Sequence, residues 1–221
     1  RQVRGSRQAR AMGKSTRFGR KEQETAWKNA EVDALYQLAG AGVRVPEPYG
    51  YFNGVLVMEM ITDAEGFSAP GLGDVELTGE QAREYHAFLI GQIVRMLCAG
   101  LIHGDLSEYN VLVGPDGPVI IDLPQVVSAA GNNNARMMLI RDVNNISATL
   151  GRFAPELPAT RFGEEMWALF EQGLLLPETN LTGVFVSDET AADVAGTLLA
   201  IEDAREEAIR RALAREAAEL S

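Results

Sequence analysis

The chain has 221 residues, 46% of them hydrophobic and 23% charged, with a net charge of −11. That composition can bury one or two cores and excludes a disordered chain, while the acidity argues against nucleic acid as the partner of the whole surface. No apolar run reaches the ~18 residues of a bilayer span and no apolar stretch follows the arginine-rich start, so a membrane segment and a signal peptide are not expected and a cytoplasmic location is.

The first 21 residues hold eight Lys or Arg and no acid, which leaves about −19 on the remainder. Arg1, Arg4, Arg7, Arg10, Lys14 and Arg17 recur at helical spacing, although Gly5, Gly13 and Gly19 weaken such a helix. Residues 1–25 are therefore read as a basic flexible arm. It suits a phosphate-rich or acidic partner, RNA among them, or simply rests in solvent against the acidic body. Next, "QETAWKNAEVDALYQLAGAG" sets Trp27, Ala30, Ala34, Leu35 and Leu38 on one helical face, with Gly40 and Gly42 as the stop. A short strand, an Asn53-Gly54 turn and a second apolar strand from Val55 to Met60 follow as a hairpin.

Thr62 to Gly79 is rich in Gly, Asp and Ser and reads as a connector. Its "GLGDVE" lacks the strand-to-helix context of a phosphate loop and is set aside. Thr78 to Gly100 has a capping start, apolar residues at helical spacing and a glycine end, so a long buried helix is expected, with His86 in a packing or surface role and Cys98 as a buried thiol without function. Further on, "ARMMLIRDVNNISATLGRF", "RFGEEMWALFEQGLL" and "AADVAGTLLAIEDAREEAIRRALAREAAEL" read as amphipathic helices, the last laced with pairs such as Glu206 with Arg210 and Glu207 with Arg211.

Between these helices lies "LIHGDLSEYNVLVGPDGPVIIDL", dense in charge beside two apolar runs. "VLVGPDGPVIID" is a hairpin by pattern, turning through Gly114-Pro115-Asp116-Gly117. If residue 112 faces residue 120, Asn110 falls opposite Asp122 at the open end. An amide oxygen and a carboxylate there suit a hard divalent cation such as Mg²⁺, which completes its shell with waters and substrate phosphates. Asp105, five residues before Asn110, can reach the same mouth and accept a hydrogen bond from an incoming hydroxyl or water. One carboxylate on the nucleophile and a metal on the phosphates is the division of labour of phosphoryl transfer.

His103-Gly104-Asp105-Leu106-x-x-x-Asn110 resembles the protein-kinase catalytic loop, with Asp122 in the place of the metal-binding aspartate. Glycine stands where arginine usually follows the histidine, and Asp122-Leu123-Pro124 stands where Asp-Phe-Gly is usual. "HGDLSEYN" and "IDLPQVV" are similar to the loops of the RIO family of atypical protein kinases, the bacterial RIO-type serine kinases above all. The similarity covers "RFGRKEQETAWKNAEVDALYQLAGAGVRVPEPYGYFNGVLVMEMI" and reaches "RDVNNI" and "TGVFV...IEDAREEA".

The resemblance implies a two-lobed, protein-kinase-like α+β fold: residues 26–62 the remnant of a small lobe, residues 63–221 a mainly helical large lobe. It implies ATP and Mg²⁺ as cofactors and a protein substrate of unstated identity. Asp105 would be the catalytic aspartate, and Asn110 and Asp122 would hold the metal. A transient phosphate on Asp122 would make the protein an ATPase as much as a kinase. Met58, Glu59, Met60 and Ile61 would form the strand that meets adenine, with Met58 at the back, and Glu31 would pair with the nucleotide-positioning lysine. Lys14, Lys21 and Lys28 lie in the arm or on the first helix, and no glycine-rich phosphate loop precedes Glu31, so those strands are expected upstream in a longer protein and this stretch alone should bind ATP weakly. "APE" at Ala154 to Glu156 is set aside, because a helix intervenes and the resemblance implies that the activation segment is missing. The rival readings are a small-molecule phosphotransferase of the aminoglycoside or choline kinase type, against which "SEYN" and "DLPQ" count, and a non-catalytic binding module that works through the arm.

Overall fold

A computed structural model describes residues 30–123 and 125–186. The arm, Trp27 and the helix expected near the C-terminus lie outside the described residues. The first element is a helix, α1, described over residues 30–40, whose inner face is Val32, Leu35 and Leu38 with Ala34 beside them. Ala30, expected on that face, is exposed, and Val32 takes up the apolar stripe instead. The chain leaves the helix through Gly42 at φ 73, a left-handed value that costs glycine little.

Strands β1 (Pro48–Phe52) and β2 (Val55–Met58) pair antiparallel through Asn53 (φ 51) and Gly54 (φ 82), both left-handed as a two-residue primed turn requires. The second strand stops at Met58, not Met60. Pro46 and Pro48 carry no N–H to extend the ladder, and its last bond runs from the Glu59 N–H to the Glu47 carbonyl at 2.8 Å. Residues 59–61 therefore run on as an irregular linker.

The long helix α2 (Gly79–Cys98) starts on a capping box: the Gln81 N–H donates to Thr78 Oγ1 at 3.2 Å and the Thr78 N–H to Gln81 Oε1 at 2.9 Å. It ends at Ala99 and Gly100, whose φ is 79. Leu89, Ile93, Met96 and Leu97 on α2 pack against Leu139, Val143, Ile146 and Leu150 of α3 (Ala135–Leu150) and Met166 of α4 (Phe162–Glu171). Each such side chain, fully buried, contributes ~1.5–3 kcal/mol over leaving it in water. His86 is part of this core: its Nε2 is 2.8 Å from Ser147 Oγ and its ring lies 5.5 Å from that of Phe162, joining α2 to α3 and α4. Cys98 is half-buried at the helix end, and burial raises its thiol pKa.

Leu101–Ile102 (β3) pairs antiparallel with Val127–Ser128 (β6), Leu101 facing Ser128 and Ile102 facing Val127. That short ladder closes residues 103–126 into one excursion whose two ends are paired with each other beside the end of α2. Within it, β4 (Val111–Gly114) and β5 (Gly117–Ile120) form a hairpin whose register sets Val111 against Ile120, Leu112 against Val119 and Val113 against Pro118. This is one residue away from the expected pairing of 112 with 120, and the cause is Pro118. The outer edge of β4 is already taken, because Leu72 N–H donates to the Val111 carbonyl at 2.8 Å and Val113 N–H to the Pro70 carbonyl at 2.9 Å. Residues 111 and 113 thus point their polar groups away from β5, and Pro118 falls opposite Val113, where no N–H is required of it. The alternative register puts the missing donor inside the ladder.

The described residues as far as Gly183 belong to one compact unit of α+β composition. No helix among them is long and apolar enough to cross a membrane.

Candidate active site

In the observed register Asn110 faces Ile121, whose N–H donates to the Asn110 carbonyl at 2.9 Å. Along an extended strand the next side chain, Asp122, would leave on the opposite face. Asp122 instead adopts φ 64, a left-handed conformation that aspartate tolerates at a cost of about 1 kcal/mol. Its carboxylate comes back to Asn110, and Asn110 Nδ2 donates to Asp122 Oδ2 at 3.1 Å. So the expected pair does meet, by a backbone reversal at residue 122 and not by direct opposition across the ladder. Asn110 is buried and its Oδ1 accepts from Ser107 Oγ at 2.8 Å, while Asp122 is exposed. The turn Glu108–Asn110 that presents the amide is a single 3-10 turn leading straight into β4.

Asp105 sits on the preceding loop with its side chain 54% exposed. Its partners are Gln125 Nε2, which donates to Oδ2 at 3.2 Å, and Arg141 Nη2, 4.0 Å from Oδ1. It makes no hydrogen bond to Asn110 or Asp122. What holds the loop comes from helix α3, which the sequence reading left without a role. Asp142, 1% exposed, accepts the N–H of Gly104 at 2.7 Å and that of Leu106 at 3.1 Å, gripping the backbone on either side of Asp105. Asn145 Nδ2 donates to the Leu106 carbonyl at 3.0 Å, Thr149 Oγ1 to Glu108 Oε2 at 3.1 Å, and Arg141 Nη2 to the Gly104 carbonyl. Burial pushes the Asp142 carboxyl up to about 6, against the two N–H bonds and Arg141, which pull it down. A signal was present in the sequence: Asp142 lies three residues after Leu139 and four before Ile146, on the apolar stripe, where a carboxylate requires partners.

His103 is the other brace. Its Nε2 lies 3.1 Å from the Ile121 carbonyl, tying the loop to the strand end before Asp122, and its Nδ1 is buried with no hydrogen-bond partner. Burial lowers its pKa, so the neutral ring donates from Nε2. Gly104 is left-handed at φ 86, and a Cβ there would stand 2.7 Å from the Gln125 carbonyl oxygen. This explains the glycine where kinase loops carry arginine.

Beside Asp122 opens a cleft of about 460 Å³, lined by Glu31, Leu35, Pro46, Leu56, Met58, Glu59, Ile61, Tyr109, Leu112, Ile121, Asp122 and Leu123. Its apolar walls and few polar groups suit a flat heterocyclic ligand. Met58, Glu59, Ile61 and Glu31 thus line one cleft, whereas Met60 is 69% exposed and is not part of its wall. Glu59 turns its carboxylate to Arg44 through bonds of 2.7 and 2.9 Å, and to the Glu47 N–H at 3.1 Å. The Arg44 hydrogen bond lowers the Glu59 pKa and raises that of Arg44. Tyr109 is 82% exposed at the cleft's edge.

The donor set fits Mg²⁺. Adjacent oxygens on an octahedral ion with bonds of about 2.1 Å stand about 3 Å apart, and Asn110 Nδ2 and Asp122 Oδ2 are separated by 3.1 Å. Turning the Asn110 carboxamide over exchanges its nitrogen for oxygen at that distance, and the Ser107 hydroxyl then accepts where it now donates.

The model of the RIO domain family matches residues 1–162. The RIO-type serine/threonine-protein kinase Rio1 of Haloferax volcanii is 36% identical over 126 residues, 55% of this chain and 41% of that protein. The protein of the same name from Thermoplasma acidophilum is 34% identical over 131 residues, 59% of this chain and 67% of that protein. The serine/threonine-protein kinase RIO1 of Homo sapiens is 35% identical over 122 residues, 55% of this chain and 21% of that protein. The chain thus spans less than half the length of the Haloferax and human relatives. On the family match and these identities, this chain belongs to the RIO family, and its α+β fold is protein-kinase-like.

Proposed function

We propose that the chain carries the catalytic segment of an ATP-dependent RIO-type serine/threonine protein kinase or ATPase. The observation that bears most weight is the Asn110 and Asp122 pair, 3.1 Å apart, with Asp122 on the wall of the cleft and held in a strained left-handed turn. Asn110 and Asp122 would hold Mg²⁺, which would supply charge neutralisation for the phosphates of ATP. Backbone groups of residues 59–61 and the Met58 side chain would bind adenine, and Glu31, which lines the same cleft, would pair with the nucleotide-positioning lysine. The exposed Asp105 carboxylate, on a backbone fixed by Asp142, accepts the proton of the attacking hydroxyl or water. We also propose the lobe division at 26–62 and 63–221, a protein substrate and a cytoplasmic setting. The relatives, serine/threonine-protein kinases, favour this reading over a small-molecule phosphotransferase.

ATP hydrolysis and self-phosphorylation by the intact protein, with Mg²⁺ and with EDTA, test it. Turnover should vanish in EDTA and in Asp122→Ala, and should be unchanged in Asp116→Ala at the hairpin tip. Undiminished turnover in Asp122→Ala refutes the metal assignment.

A further inference from the structure

We propose that Arg141 is a catalytic residue of this site, the cation that meets the transferring phosphoryl group on the side of Asp105. The inference rests on the phosphotransfer reading above and adds to it a residue that neither the loop motif nor the metal pair contains. Phosphoryl transfer spreads negative charge over the equatorial oxygens of the moving group, and positive groups aimed at that charge are the main source of rate. Here the loop from His103 to Asn110 contains no Lys or Arg, and the position two residues after Asp105 is Ser107, whose hydroxyl is spent on Asn110. Beyond the metal and the nucleotide-positioning lysine, a cation on the Asp105 side of the moving group has to come from another element.

Helix α3 brings one. The Arg141 guanidinium reaches over the loop, donating from Nη2 to the Gly104 carbonyl and standing 4.0 Å from Asp105 and 3.7 Å from Asp142. All three contacts use the same nitrogen. Nε and Nη1 keep their donors free among the described residues, and the side chain is 51% exposed on the face that Asp105 shares. A merely structural clamp would spend its fork on the loop. This one is anchored through Nη2 alone and leaves Nε and Nη1 without a partner among the described residues, so donors remain for an oxygen of a phosphoryl group.

In the step itself, the acceptor oxygen forms a bond to the γ-phosphorus of ATP while the bond from that phosphorus to the β,γ-bridging oxygen breaks. The hydroxyl proton passes to the Asp105 carboxylate, and ADP departs with the electron pair of the broken bond. Arg141 holds the equatorial oxygens throughout and neither gains nor loses a proton.

The test uses the intact protein with Arg141→Gln, Arg141→Lys and Arg141→Ala, with Asp105→Asn alongside. For Arg141→Gln we expect kcat to fall about 100-fold with the KM for ATP nearly unchanged, and affinity for Mg·ADP·aluminium fluoride, which copies the transferring group, to fall in parallel. Arg141→Lys should lie between the two, and free guanidinium ion should restore turnover to Arg141→Ala but not to Asp105→Asn. Wild-type kcat in Arg141→Gln, or a loss of kcat with analogue affinity intact, overturns the assignment. Should Arg141→Gln fold poorly by thermal melting, a folded Arg141→Lys with wild-type kcat overturns it equally. Normal turnover in Asp105→Asn instead defeats the underlying phosphotransfer reading.

Discussion

Asp142 offers the sharpest test of how the loop is held. Its carboxyl titrates near 6 in the folded protein against an ordinary 3.8. Between those values the folded state binds a proton that the unfolded state does not, so this group adds stability as pH falls, fully below about 4, and the gain is lost as pH rises through 6. The difference corresponds to about 3 kcal/mol. Asp142→Asn cannot titrate and keeps one acceptor for the N–H groups of Gly104 and Leu106. The other N–H is left buried without a partner at a cost of about 1–3 kcal/mol, and that cost does not vary with pH. Denaturant unfolding of the intact wild type and variant from pH 4 to 7.5 separates the two effects. The stability of wild type minus variant should shrink by about 2.5 kcal/mol from the acid end to the neutral end. A difference flat across that range would mean that Asp142 is not desolvated by the loop, and the clamp would have to be abandoned.

His86 should behave in the opposite sense: burial lowers it from 6.5 to about 4, so its contribution is present above 6.5 and is lost as pH falls toward 4, by about 3 kcal/mol. Unfolding of His86→Gln, which retains a polar contact for Ser147, should show a correspondingly weaker acid destabilisation. Gly104→Ala forces a Cβ to within 2.7 Å of the Gln125 carbonyl and strains a left-handed backbone, so thermal unfolding should show a loss of about 2 kcal/mol or more, and ATP turnover should fall with it. Gly131→Ala, where the nearest contact is an ordinary 3.4 Å to Ser128 Oγ and φ is not left-handed, is the matched control and should leave both unchanged.

Much of the framework was legible because its causes are local. The Thr78 capping box, the glycine stops at Gly42 and Gly100, and the Asn53-Gly54 turn each depend on residues a few positions apart. The register of the second hairpin was not legible, since Pro118 is placed by an edge already occupied by Pro70 and Leu72, some forty residues upstream. The left-handed turn at Asp122 follows from that register and was hidden with it. The types of the site residues were therefore readable, while the way in which Asn110 and Asp122 meet required knowledge of a strand neighbour that no local pattern announces. The clamp from α3 was missed for a related reason. Its residues read as part of an amphipathic helix, and only the position of Asp142 on the apolar stripe sets them apart.

The restraints on residues 103–106 are also divided in a way that bears on chemistry. The Gly104 and Leu106 N–H groups and carbonyls are bonded to Asp142, Arg141 and Asn145, and His103 is bonded to the Ile121 carbonyl, so the backbone is fixed at each neighbour of Asp105. The Asp105 side chain, by contrast, is more than half exposed, and its polar partners among the described residues are the exposed Gln125 and Arg141. Ordering a backbone costs about 1–2 kcal/mol per residue, and here folding meets that cost before any substrate arrives. A carboxylate mounted on a rigid loop but free at its tip can exchange the Gln125 amide for an incoming hydroxyl with little rearrangement, because both are hydrogen-bond donors of similar reach. Gln125→Ala should then leave loop stability intact and make Asp105 more accessible, which places it apart from Asp142, where the same truncation removes the support of the loop itself.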